Sequence, residues 1–324
     1  MTASRIVAAS LRKEFGRIVA VEDISFTVET GEVLGFLGPN GAGKTTTMRM
    51  LTGYLRPTRG DVSICGINML TDPVKAKACI GYLPEGAPLY PEMTPATLLR
   101  FTGQARGLGG KELENRMDET ADLVNLREVW NQSIETLSKG YKRRLGLAQA
   151  ILHNPEVLIL DEPTDGLDPN QKQEVRLLVR QMAQSKAIII STHILEEVHA
   201  VCTRAVILAS GRIVADGTPV ELESMASDHN AVTILLPTAG ASQFAEKLER
   251  IPEVSAVKIT PEVEDRCLVQ AFPSEGSLIL TQVTDLIRQQ NLNVLELRQE
   301  PGRLDEVFRN LTIPTTDHAY GGQA

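Results

Sequence analysis

The chain has 324 residues, 41 of them acidic and 33 Lys or Arg, for a formal net charge of −8. Hydrophobic residues make up 42% and charged residues 23%, ordinary globular usage that excludes a disordered or collagen-like chain. This length exceeds what one hydrophobic core usually supports, so two domains are expected, and the acid excess argues against a nucleic-acid partner. Apolar runs are short, such as Val157–Leu160 and Ala205–Ala209, far below a membrane span. On these numbers the chain is not itself a channel or carrier. Met1 to Arg12 has no apolar signal-type segment, which points to the cytoplasm. Cys65, Cys79, Cys202 and Cys267 are widely spaced, show no metal-ligand clustering, and read as small buried hydrophobes.

Strand-forming runs come first, at Arg5–Ala9, Ile24–Val28 and Val33–Leu37. The turn-rich stretch Gly38–Gly43 follows, and a helix is expected from Lys44 to about Gly53. Pro57–Gly60 is a turn, and Asp61–Ile64 a further strand. From Pro95 to about Trp130 the periodicity is helical, broken at Gly107–Gly110, so residues 94–152 read as a helical insertion. A helix from Ser138 to Leu152 meets the apolar strand Val157–Leu160. Asp168-Pro169 opens a helix to about Ala183, with Asp as N-cap and Pro at the first helical position. Ala187–Ile190, Ile194–Val201 and Ala205–Ala209 continue the alternation of strand and helix. Wholly apolar strands are what a parallel sheet covered on both faces requires.

Thr218-Pro219-Val220-Glu221 is a capping box opening a short helix that ends near Met225. The polar break Ser227–Asn230 marks the expected boundary between a first domain at 1–226 and a second domain at 227–313. The latter reads strand 231–236, helix 242–251, strand 254–260, strand 266–272, helix 275–290 and strand 293–298. That βαββαβ order is an α+β, ferredoxin-like arrangement. It closes on the amphipathic set Leu304, Val307, Phe308 and Leu311, and residues 314–324 are expected to be disordered.

Gly38-Pro39-Asn40-Gly41-Ala42-Gly43-Lys44-Thr45 fits G-x-x-x-x-G-K-[ST] between a strand and a helix, the context the motif requires. Glycines let backbone N–H groups close around phosphates, and the helix N-terminus adds its positive dipole end. Lys44 then reaches the β and γ phosphates, and the Thr45 hydroxyl Mg²⁺. Val157–Leu160 ends in Asp161 and Glu162, delivered to the strand end where open α/β sheets bind ligands. Asp161 suits the Mg²⁺ shell. Glu162 suits a base for the water attacking the γ-phosphate, or else a cap on the following turn. Ser138 stands at a helix N-cap, ahead of Gly140, Lys142, Arg143 and Arg144. Basic residues there oppose the macrodipole, which either a docked anion or simple solvation explains.

The chain resembles the ATP-binding subunits of ABC transporters over residues 4 to about 225. GPNGAGKT at 38–45 is similar to their Walker A, followed by Thr46, and VLILDE at 157–162 to their Walker B. LSKGY at 137–141 resembles the signature sequence and Asp165-Gly166-Leu167-Asp168 the D-loop. Ser191-Thr192-His193 resembles the switch histidine, and Phe15 the aromatic that stacks on adenine. An aromatic in a β-hairpin is core as readily as ligand. The resemblance implies an ABC-type P-loop ATPase with an antiparallel β subdomain, binding ATP and Mg²⁺. It implies that His193 contacts the γ-phosphate and that Ser138 and Gly140 bind phosphate, with Asp168 in the nucleotide set.

The signature departs from LSGGQ at Lys139 and Tyr141, and Glu85 stands where the family usually has Gln. A carboxylate at 85 can still ligate the metal, and the variant resembles the branch serving export-type permeases. In the family two copies meet head to tail, with each ATP between the Walker A of one and the signature of the other. The partners implied are a second copy and a separate membrane permease, at the cytoplasmic face of the inner membrane. The loop between Glu85 and Pro95, with Pro88, Tyr90, Pro91 and Met93, either packs on the helical insertion or receives that permease. The rival reading is a soluble ABC-type ATPase acting on ribosomes or DNA with no membrane partner, though such proteins usually carry two cassettes or a long coiled coil. The accessory domain is more acidic than basic, which again excludes nucleic acid.

Overall fold

Strand pairing begins with a two-residue turn at Gly16. β1 (Ile6–Phe15) folds back antiparallel on β2 (Ile18–Val28), both longer than their apolar runs suggest. The computed structural model of the chain describes residues 4–262, 265–274 and 276–312, so the expected disordered tail lies outside the described residues. β3 (Val33–Leu37) and α1 (Lys44–Leu51) come next. β4 (Arg59–Ile64), β5 (Ile67–Asn68), α2 (Pro73–Ala78) and β6 (Ile80–Leu83) follow. The helical stretch resolves into α3 (Pro95–Ala105), α4 (Gly110–Leu123) and α5 (Lys139–Ile151), with the break at Gly107–Gly110 where turn residues stand. β7 (Val157–Asp161), α6 (Pro169–Ala183), β8 (Ala187–Thr192), α7 (Leu195–Val201), β9 (Arg204–Ala209) and β10 (Arg212–Gly217) complete the first part.

Two sheets organise it. One is antiparallel, in the order β2-β1-β4-β5; the other has the order β10-β9-β3-β8-β7-β6. In the second, β9, β3, β8, β7 and β6 run parallel. Strands β3, β7 and β8 are buried at every residue, as a sheet covered on both faces demands. A shared core joins the two sheets through Ile6, Leu11, Ile24 and Phe26 on one side and Leu34 and Phe36 on the other, with Met48 and Leu51 of α1 packed into it. Phe26 and Phe36 meet edge to face at 5.0 Å.

The register of the parallel strands aligns their carboxyl ends: Leu37 pairs with Thr192, Asp161 with Ser191, and Leu83 with Leu160. Four successive strands therefore release their following loops at one rim. The connection from β6 to the adjacent β7 contains α3, α4 and α5.

The chain divides into two compact units, one ending at Asp216 and the other starting at Gly217. The second includes α8 (Pro219–Glu223), opened by the expected capping box between Thr218 and Glu221. Its helix ends before Met225. β11 (Val232–Pro237), α9 (Ala241–Leu248), β12 (Val254–Pro261), β13 (Arg266–Pro273), α10 (Leu280–Gln290), β14 (Glu296–Gln299) and α11 (Leu304–Thr312) follow. The antiparallel sheet has the order β12-β13-β11-β14, which puts the first strand between the third and the last. Burial alternates along β13, with Cys267, Val269 and Ala271 facing Phe244, Leu248 and Val283 in a separate core. α8 belongs here because Gly302 lies against its last turn: a Cβ at Gly302 would meet the Glu223 carbonyl oxygen at 2.2 Å.

Among the described residues no helix is long and apolar enough to cross a membrane. Cys202 and Cys267 are buried, as small hydrophobes should be. The reading of four scattered cysteines fails at Cys65 and Cys79, which the fold brings together beside Glu156. Wide spacing in sequence does not survive antiparallel pairing and a crossover.

His153, between α5 and β7, lies within hydrogen-bonding distance of the Ile80 carbonyl oxygen, at 3.0 Å. Burial, with help from the nearby Arg106 cation, pushes its pKa down from 6.5 to about 4. The folded chain thus keeps the ring neutral where the unfolded chain takes up a proton, so this contribution is whole above pH 6.5 and lost as pH falls towards 4. In urea unfolding across that window, His153→Gln should lose less stability than the wild type.

Candidate active site

β3 ends at Leu37, and residues 38–43 turn back over its end before α1 starts at Lys44. Gly43 caps α1 at a φ of 105°, in the left-handed region, and a Cβ there would meet the Ala20 carbonyl oxygen at 2.8 Å. Only glycine lets the loop close against β2 in this way. The Lys44 ammonium folds back across the loop, donating to the carbonyl oxygens of Gly38 at 2.7 Å and Pro39 at 3.3 Å. Its burial lowers its pKa, an effect opposed by the negative fields of Glu162, Asp161 and Glu85.

β7 supplies the carboxylates. Asp161 is 1% exposed; its Oδ1 accepts from the Ser191 hydroxyl, while Oδ2 has no hydrogen-bond partner. A buried carboxylate oxygen without a donor is costly and invites a cation. Glu162 follows at a φ of 51°, uncommon outside glycine. Its N–H donates to the Ser191 carbonyl at 3.1 Å and the Ser191 hydroxyl at 3.2 Å. Glu162 Oε2 lies 2.9 Å from Nδ1 of His193, which β8 delivers from the neighbouring strand. The pair is asymmetric, with the carboxylate side chain 13% exposed and the imidazole 55%.

These groups line one cleft of about 390 Å³. Its walls are Pro39–Gly41, Gly43–Thr46, Ala20, Glu85, Glu162, Asp165 and His193. Gly38, Ala42 and Asp161 stand behind that surface, Gly38 by accepting from Lys44. Phe15, Ser138, Gly140 and Asp168 are not in the lining. Phe15 is 49% exposed at the end of β1, with the Lys13 ammonium 5.2 Å from its ring. Ser138 caps α5 by accepting from Tyr141 N–H at 3.3 Å. Asp168 caps α6 by accepting from Gln171 N–H at 2.9 Å. Gly140 lies against the Gln171 amide.

Sequence reasoning did not single out Ala20, and it passed over Arg143 as one of several cations. Arg143 is 8% exposed. Its guanidinium donates to the carbonyl oxygens of Glu85 at 2.7 Å, Pro84 at 2.9 Å and Pro163 at 3.2 Å, and also to those of Asp161 and Glu162. A signal existed. Gly140, Arg143, Leu147 and Ile151 form the buried stripe of α5 at helical spacing, and a cation on such a stripe needs a buried partner.

The sequence profile of the ABC transporter family matches residues 21–165. The linearmycin resistance ATP-binding protein LnrL of Bacillus subtilis is 33% identical over 307 residues, covering 94% of this chain and 97% of that protein. The chain belongs to the ABC transporter ATP-binding family. Nod factor export ATP-binding protein I of Bradyrhizobium diazoefficiens is another relative of this ABC protein, 32% identical over 316 residues, 96% of this chain and 97% of the relative. A solved ATP-binding subunit of an ABC transporter matches with a TM-score of 0.64 at 31% identity, over 68% of this chain and 93% of that one. A dimeric ATP-binding cassette bound to ADP and phosphate, 22% identical with a TM-score of 0.62, covers 66% of this chain and 98% of that one. This chain is thus an ABC transporter ATP-binding subunit and an ATPase, with relatives of export type.

Arg143→Met removes the guanidinium donors from those carbonyl oxygens while keeping an unbranched stem. Stability should fall by about 3 kcal/mol or more, because buried acceptors lose charge-assisted bonds. ATP hydrolysis should fall with it, and Arg143→Lys, a point charge in place of a planar fork, should recover little of either. Chemical denaturation and steady-state ATPase assays on the same preparations check both.

Proposed function

We propose that this subunit hydrolyses ATP at the 38–46 loop and drives export through a separate membrane permease, working as a head-to-tail pair at the cytoplasmic face of the inner membrane. The observation that carries the hydrolytic part is the Glu162–His193 pair facing Lys44 across one cleft. Glu162 accepts the proton of the attacking water, and His193 holds the carboxylate and the γ-phosphate in register. Lys44 offsets charge on the transferred phosphoryl group, where positioning and electrostatics supply most of the catalysis. Pro39, Asn40, Gly41, Ala42, Gly43 and Thr46 hold the phosphates with it.

Thr45, Asp161 and Glu85 would hold Mg²⁺. The fit rests on the unpartnered Asp161 Oδ2 and on an all-oxygen donor set, the kind Mg²⁺ takes. When bound, the ion neutralises phosphate charge. Phe15, exposed beyond the cleft, would stack on adenine.

Ser138 and Gly140 open α5 away from the cleft lining, so in this reading their phosphate is that of the second copy's ATP, with Asp168 in the adjoining loop. A dimeric cassette among the fold neighbours supports it. For the permease, the support is the exposed pair Tyr90 and Phe101, edge to face at 6.1 Å beside the Glu85 loop, together with a relative named for Nod factor export.

Glu162→Gln should lower kcat by roughly 10²- to 10⁴-fold, the usual worth of a general base, while ATP binding persists and the ATP-bound variant runs as a dimer on size exclusion. A wild-type rate in Glu162→Gln removes this residue as the base. Lys44→Ala should instead weaken ATP binding by about tenfold to a hundredfold, as expected for loss of a charge-assisted contact. For the permease, the test is co-purification from detergent-solubilised membranes, with a crosslinker placed at Tyr90. Recovery with ribosomes and no hydrophobic protein would sink the transport reading.

A further inference from the structure

The β4–β5 hairpin, the start of β6 and the start of β7 converge at the amino edge of the parallel sheet, at the opposite ends of the strands from the ATP cleft. Cys65 occupies the hairpin turn, Cys79 ends α2 one residue before β6, and Glu156 stands one residue before β7. Their ligand atoms, two Sγ and a carboxylate oxygen, all lie within 4.8 Å of one another. We propose that Cys65, Cys79 and Glu156 form a binding site for a thiophilic divalent cation, with Zn²⁺ the species that fits best.

The donor set decides the class of ion. Two sulfurs and one carboxylate suit a borderline-soft cation, not Mg²⁺ or Ca²⁺, and three protein ligands with water complete a tetrahedron. The frame is already fixed in the backbone. Cys65 N–H donates to the Arg5 carbonyl at 2.7 Å, Val157 N–H to the Cys79 carbonyl at 3.0 Å, and Ala187 N–H to the Glu156 carbonyl at 3.0 Å. Little ordering therefore remains for the ion to impose.

Both cysteines are half-buried against the hydrophobic core, and Glu156 is the exposed member of the three. Arg5 lies 2.7 Å from Glu156 Oε2 and donates to the Thr30 hydroxyl at 3.1 Å, so it holds the carboxylate from outside. Charge also balances: two thiolates and a carboxylate against the dication and Arg5, with two protons released as the thiols ligate. A disulfide would use the two sulfurs alone, whereas the Glu156 carboxylate within 4.8 Å of both makes a third donor, and that is the reason for preferring the metal.

The test uses the full chain, reduced with a phosphine, given Zn²⁺ without nucleotide and then desalted. The wild type should retain a stoichiometric zinc ion, with alkylation of Cys65 and Cys79, mapped by mass spectrometry, suppressed until a chelator is added. Cys65→Ser with Cys79→Ser should weaken zinc binding by at least about a hundredfold, and Glu156→Gln by about tenfold. Cys202→Ser should bind as the wild type does. Zinc uptake that survives the double substitution overturns the site. So does a reduced wild type that takes up none, whether or not Cys65 and Cys79 oxidise to a disulfide. If the double variant does not fold, the alkylation pattern of the wild type decides alone.

Discussion

One buried guanidinium holds the rim of the cleft together. Arg143 arises from α5, yet its donors end on the loop after β6 and on the end of β7 with the turn that follows it. Those loops carry Glu85 on one side and Asp161 and Glu162 on the other. Neither loop has a sheet ladder to pair its carbonyl oxygens once the strands have ended, and buried carbonyls cannot remain unpaired cheaply. A planar fork with five donors is the side chain that can serve so many acceptors from one position. Any displacement of the N-terminal half of α5, which Ser138 begins, is therefore felt by the carboxylates of β7 and by Glu85.

The electrostatics of the cleft follow from the same economy. Lys44 is buried with carbonyl oxygens as its direct partners, and the carboxylates act on it only through their fields. Asp161 keeps one oxygen on Ser191 and leaves the other unpartnered. The site is thus held short of full internal pairing. A triphosphate with its metal ion would complete both groups at once, whereas a rearranged Lys44–Asp161 ion pair would satisfy the protein and leave nothing to bind.

Much of this was legible in the sequence because it is local. The 38–45 motif, the apolar β7 ending in two carboxylates, the N-caps Ser138, Asp168 and Thr218, and the break between α3 and α4 all stand where residue type and spacing put them. What escaped was non-local or short. β10 and α2 are brief and mixed in pattern, and β2 extends beyond its apolar run because β1 pairs with it. The Arg143 hub joins residues far apart in the chain, and the Cys65–Cys79 encounter depends on a hairpin meeting a crossover. No window along the sequence contains either. The opposite holds for Glu162 and His193: each directly follows one of two adjacent parallel strands, so the end of each apolar run already aligned them.

β6 and β7 lie side by side, yet α3, α4 and α5 all intervene between them along the chain. Parallel neighbours require a crossover in any case, and closing a longer one adds little entropic penalty. The helical insertion is therefore the part of the cassette whose outer surface can diverge most freely, because the strand register that sets the carboxylates is indifferent to its length. Substitutions on that outer surface can accumulate and leave the carboxylates in place, provided that Arg143 stays in reach of both loops.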